Sequence, residues 1–71
     1  MKIDLESYVG KTVDIVCNDD EKFDGYYVDN FTDYYDNDER EEDSIDILKR
    51  KGDKDGIILY AGEIKSITET E

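Results

Sequence analysis

A glycine stands inside a β-forming run, and that placement narrows the fold more than any other feature. The run is Phe23-Asp24-Gly25-Tyr26-Tyr27-Val28, entered from the polar reversal Asn18 to Lys22 and leaving through Phe31. An isolated glycine weakens a strand, so in this setting it marks a bulge, a bend or a close backbone approach. Gly25 is read as a structural bend. A strand that enters one layer, turns at a glycine and leaves in another lets a few strands wrap a small core.

The core has to be small. The chain has 71 residues, which make a single domain spanning 1–71, and a domain of this size buries only about 60% of its unfolded surface. Nine Lys and Arg stand against 21 Asp and Glu, for a net charge of -12. Carboxylate repulsion of that size opposes compaction while keeping the chain soluble. It also disfavours nucleic acid as a partner, because holding a phosphate backbone depends on Lys and Arg displacing counterions. The apolar residues nevertheless fall in short alternating runs of Ile, Val, Leu, Tyr and Phe, which a disordered tail does not need.

Cys17 is the single cysteine and there is no histidine. An intrachain disulfide and an ordinary nitrogen-sulfur zinc site are therefore both out of reach, and a reducing cytoplasm is the expected location. No apolar run approaches the roughly 20 residues of a membrane span, and Met1-Lys2-Ile3-Asp4 lacks the apolar segment of a signal peptide. No membrane association and no cofactor are expected.

Taken in order, Asp4 as N-cap, Leu5, Tyr8 and Val9 as an apolar stripe and Gly10 as a stop predict a short helix over about 4–9. Alternation then predicts strands over about 12–18, 22–33, 43–51, 56–61 and 64–68. The fold class is all-β with one short N-terminal helix, a strongly bent five-stranded small barrel. Between the second and third strands, Asp33 to Asp43 holds seven carboxylates in eleven residues, too many like charges for one sheet face, so it reads as a loop or a solvated strand extension. Ile57, Ile58, Leu59 and Tyr60 form a continuous apolar run, which predicts a strand covered on both faces.

This layout resembles the Sm-like (LSm) proteins, a plan shared with SH3-like barrels. Gly10-Lys11-Thr12-Val13-Asp14-Ile15-Val16 looks like the family's entry into its first strand. Asp20-Glu21-Lys22-Phe23-Asp24-Gly25-Tyr26 is similar to its D-G-x-x-x-G hairpin, with Glu21 in place of the first glycine. Leu59-Tyr60-Ala61-Gly62-Glu63-Ile64 resembles the motif joining its last two strands. The resemblance spans about residues 3–68 and implies a bent five-stranded sheet under an N-terminal helix. It also implies a homo-oligomer assembled through the barrel edge strands, since in that family the fourth and fifth strands pair between subunits to make rings.

The family binds RNA through an Asp-x-x-x-Asn segment after the second strand and an Arg-Gly in the later motif. Asp33 and Asn37 match the first spacing and Gly62 matches the glycine, but Ala61 replaces the arginine and Asp36 precedes Asn37. The residues placed at an RNA or partner contact are therefore Asp33, Tyr34, Tyr35, Asn37 and Gly62. Tyr34 and Tyr35 are either a stacking platform or partner anchor, or half-buried aromatics that close the barrel edge. Of Tyr26 and Tyr27, one should face the core and the other the surface.

Asp36, Asp38 and Glu42 offer oxygen ligands but lack the glycine and the regular spacing of a calcium loop. An exposed carboxylate run such as Asp38 with Glu41 has no pocket to separate two pKa values for acid-base work. Cys17 has no histidine to activate it and reads as buried filler. Lys49, Arg50, Lys51 and Lys54 form the one basic cluster, read either as a solvated hairpin tip or as a contact for an anionic partner or the acidic loop of a neighbouring copy. The expected function is a non-enzymatic interaction module acting through self-assembly or a basic protein partner. The alternative is an RNA-binding protein that uses the Asp33/Asn37 loop.

Overall fold

In the computed structural model, which describes residues 4–36 and 42–70, five antiparallel strands form one sheet in the order β4-β3-β2-β1-β5. The strands are β1 (Thr12–Cys17), β2 (Lys22–Thr32), β3 (Ser44–Leu48), β4 (Ile57–Tyr60) and β5 (Ile64–Glu69). In β1 the alternation works as written, with Val13, Ile15 and Cys17 buried and Thr12, Asp14 and Val16 half-covered. β3 stops at Leu48, short of the expected Lys51, because Lys49, Arg50 and Lys51 are exposed in the connection to β4.

At Gly25 the structure has a β-bulge. Val13 pairs with Tyr26 while Ile15 pairs with Phe23, so Asp24 and Gly25 together stand against Asp14. Gly25 adopts φ 72° there, a region that costs other L-residues roughly 1–2 kcal/mol. The extra residue resets the alternation. Phe23 and Tyr26, three apart in sequence, both reach the core side and meet edge to face, with ring centroids 5.3 Å apart at 84°. A second register shift, between Val28 and Asn30, turns β2 again where it pairs with β3.

The N-terminal segment differs from the expected helix. It is a single 3-10 turn, Leu5–Tyr8, and the Asp4 side chain makes no capping bond. A 3-10 turn has three residues per turn, so positions i and i+3 line up and i+4 rotates away. Leu5 is accordingly 1% exposed and Tyr8 packs on the core, whereas Val9 is 40% exposed. Gly10 then donates its N–H to the Val28 carbonyl, and Val28 returns an N–H to the Lys11 carbonyl, both at 2.9 Å. These bonds hold the turn over one end of the sheet.

The expected barrel is not closed. β4 and β5 are the two edges of the sheet, with no ladder between them. They are consecutive in sequence, joined only by the 3-10 turn Ala61–Glu63. From Tyr60 to Ile64 such a connection spans at most about 14 Å, whereas four flat strand spacings amount to about 19 Å. The sheet therefore curls, and its edges approach at this corner. Asn18 ties the corner down, its N–H donating to the Glu63 carbonyl at 2.9 Å and its side-chain amide to the Gly62 carbonyl at 2.6 Å.

Inside the curl lie Leu5, Val13, Ile15, Val28, Ile45 and Ile47, all essentially without solvent contact. Each such side chain contributes about 1.5–3 kcal/mol relative to an exposed one. β4 departs from expectation: of its apolar run only Leu59 is buried, while Ile57 is 38% and Ile58 57% exposed. The reason is position in the sheet. Among the described residues β4 pairs only with β3, and Ile58 stands opposite Asp46, outside the core. Among the described residues, no helix is long and apolar enough to cross a membrane.

Candidate interaction surfaces

After β2 the chain turns at Asp33 into a second 3-10 turn, Tyr34–Asp36. Free N–H groups at the start of any helical turn need acceptors, and two carboxylates supply them. Asp33 Oδ1 accepts the Tyr35 N–H at 3.0 Å, and Asp43 Oδ1 accepts the Tyr34 N–H, also at 3.0 Å. Asp43 is buried immediately before β3, so this second bond anchors the turn to the sheet.

The two tyrosines held in this way differ in exposure, Tyr34 at 37% and Tyr35 at 80%. Their ring centroids lie 4.0 Å apart at 31°. The Tyr34 hydroxyl is pushed above the ordinary phenol value. Its hydrogen bond with the Tyr35 side chain is the main cause, followed by desolvation and the negative charges of Asp33 and Asp43.

Residues 42 and 43 connect this turn to the β4–β5 corner. The Asp43 carbonyl accepts the Ala61 N–H at 2.8 Å, and Glu42 Oε1 accepts the Gly62 N–H at 2.7 Å. A Cβ placed on Gly62 would stand 2.5 Å from Glu42 Oε1. The structure thus brings Asp33, Tyr34, Tyr35 and Gly62 into one connected region through Glu42 and Asp43. Asn37, Asp38 and Glu41 lie outside the described residues. The bridging roles of Glu42 and Asp43 had no sequence signal, since they are two carboxylates in an acidic run and their partners are distant in the chain.

Comparison with protein-family models, curated proteins and solved structures finds no match to this chain. Function has to be read from its own surfaces.

Beside the corner is a recess of about 250 Å³ lined by Cys17, Asn18, Asp19, Glu21, Leu59 and Glu63, among others. Burial, and then the charges of Asp19, Glu21 and Glu63, push the Cys17 thiol above its ordinary value. That favours the unreactive thiol over the nucleophilic thiolate. Among the described residues, no group of three His, Cys, Asp or Glu is placed to hold a metal ion.

The other prominent surface is β4. Ile57 borders a recess of about 340 Å³ with Tyr26, Ile47 and Lys49, and Ile58 pairs opposite Asp46. The Asp46 carboxyl lies above the usual range because of burial first and the nearby Asp29 charge second.

Proposed function

We propose that this chain is a cytoplasmic, non-enzymatic Sm-like module that works by self-assembly through the edges of its sheet. One observation carries the reading: β4 is an open edge strand whose Ile57 and Ile58 stand exposed. The outer side of an edge strand can offer backbone N–H and C=O groups to a second chain, and proteins ordinarily blunt such edges with charge, proline, a cover or short strand length; in β4 the Tyr60 N–H already donates to Glu63 Oε1 at 3.2 Å. β4 is Ile-Ile-Leu-Tyr, and the chain contains no proline. β5 is the opposite edge, so a second copy can add β5 to β4 and complete the barrel between subunits.

Native mass spectrometry tests this directly. The expected result is an assembly of several chains that dissociates in Ile58→Lys while the variant keeps its β-sheet circular dichroism. A monomeric parent at micromolar concentration would overturn the reading. The second reading, RNA binding around Asp33 and Asn37, has the exposed Tyr34–Tyr35 pair in its favour and the net charge of -12 against it.

A further inference from the structure

The Tyr34–Tyr35 pair has a property that self-assembly through β4 does not use. Large aromatic rings are usually placed where they lose water, yet Tyr35 is 80% exposed, and its neighbour is held against it at 4.0 Å. The turn that presents them is fixed rather than loose. Both tyrosine N–H groups are bound by carboxylates, one of them the buried Asp43. The pair is therefore a preorganised aromatic platform, which lowers the ordering cost of binding.

The charge beside it selects the ligand. Asp33 and Asp43 bind the turn directly, and the chain as a whole carries a net charge of -12. An aromatic face in such a field attracts cations, through the ring quadrupole and through the surrounding carboxylates alike. It repels phosphates. Among biological cations, the guanidinium group suits the site best, because it is planar, stacks on tyrosine faces and can also hydrogen-bond a carboxylate in its own plane. An ammonium group is more strongly hydrated and has no plane to stack.

We infer that the Tyr34–Tyr35 turn is a docking site for an arginine-bearing peptide segment of a partner protein. The guanidinium lies over the exposed Tyr35 ring, and the carboxylates of Asp33 and Asp43 beside the turn favour its positive charge. The platform residues are separate from Ile57 and Ile58, so the inference does not rest on self-assembly.

The probes are a capped hexapeptide alternating glycine and arginine, its lysine counterpart, and a uridine hexanucleotide, each titrated into the full chain by calorimetry at about 50 and 200 mM salt. The arginine peptide is expected to bind roughly fivefold tighter than the lysine peptide, and both are expected to weaken with salt. Tyr35→Ala should abolish that preference and Tyr35→Phe should keep it, since the phenylalanine ring retains the face. Tyr35 is so exposed that both variants should melt with the parent.

Equal affinity for the two peptides, or an arginine preference that survives Tyr35→Ala, overturns the inference. So does tighter binding of the oligonucleotide that is lost in Tyr35→Ala. Native mass measured on the same variants separates this result from the assembly reading, because Tyr35→Ala should leave the assembly intact.

Discussion

The Gly25 N–H donates to the Asp14 carboxylate at 2.8 Å, across the bulge where two residues of β2 oppose one of β1. Asp14 thereby accepts the hydrogen bond of a donor that the interrupted ladder leaves without a regular partner. The bulge puts both Phe23 and Tyr26 on the core side.

Strain, not crowding, governs substitution at this glycine. A Cβ on Gly25 meets nothing within 4 Å, but φ is 72°. Gly25→Val is expected to lower stability by about 1–3 kcal/mol, well beyond the surface control Thr68→Val. Gly25→Asn should cost less, since asparagine tolerates the left-handed region. Urea midpoints of the three variants check this, and equal losses for Val and Asn would point to a cause other than backbone conformation.

Gly62 presents the opposite situation. It does not have a positive φ, but its Cβ position is filled by Glu42 Oε1. Gly62→Ala should therefore displace the Glu42 carboxylate, break its bond to the Gly62 N–H and cost about 1 kcal/mol. In a Glu42→Ala background the same change should be nearly neutral. A double-mutant cycle measures the coupling, and additive losses would show that Glu42 is not what excludes a side chain.

Asp46 predicts a rise in stability on mild acidification. Its carboxyl is raised in the folded state by burial and then by Asp29, so the folded chain binds a proton at a higher pH than the unfolded chain does. Stability from this group then increases as pH falls from neutral through the raised value, and the gain is complete below the ordinary value near 3.8. Asp46→Asn should be more stable than the parent at neutral pH and should lack this part of the acid-side rise. Added salt should raise the midpoint as well, by screening the charge of -12. A parent midpoint that drops between about pH 7 and pH 5 would contradict the sign.

Single-stranded RNA, uridine-rich or adenosine-rich, should bind no better than millimolar at physiological salt. A competent site neutralises several phosphates with Lys or Arg, and this chain has Ala61 before Gly62 and carboxylates throughout the Asp33 to Asp43 segment. Stacking on Tyr34 or Tyr35 returns about 1–3 kcal/mol per base, too little for micromolar affinity in a repulsive field. Fluorescence anisotropy with short homopolymers decides it. Micromolar binding that weakens with salt and vanishes in Asn37→Ala would establish the RNA-binding reading instead.

What the sequence determined by itself is everything set by neighbours along the chain. Alternation at Val13, Ile15 and Cys17 defines a strand and its buried face, because side chains in a strand point to opposite faces with a period of two. Gly25 announces a break in that period, because only glycine enters the left-handed region at little cost. Five strands follow from such local signals, and so does the acidic composition of the segment between the second and third.

What depended on partners distant in sequence was decided only by the tertiary structure. Leu5 is buried, Tyr8 is half-buried against the core and Val9 is exposed, because the segment winds as a 3-10 turn in contact with β2 and β3. The apolar run Ile57 to Tyr60 reads as a covered strand, but its exposure depends on which strands flank it, and the sheet order leaves β4 at an edge. Asp43 and Glu42 look like two more solvated carboxylates. They become the link between the tyrosine turn and the β4–β5 corner because folding brings Tyr34 and Gly62, 28 positions apart, within reach of the same two residues. Hydrogen bonds of that kind leave no periodic trace in a sequence.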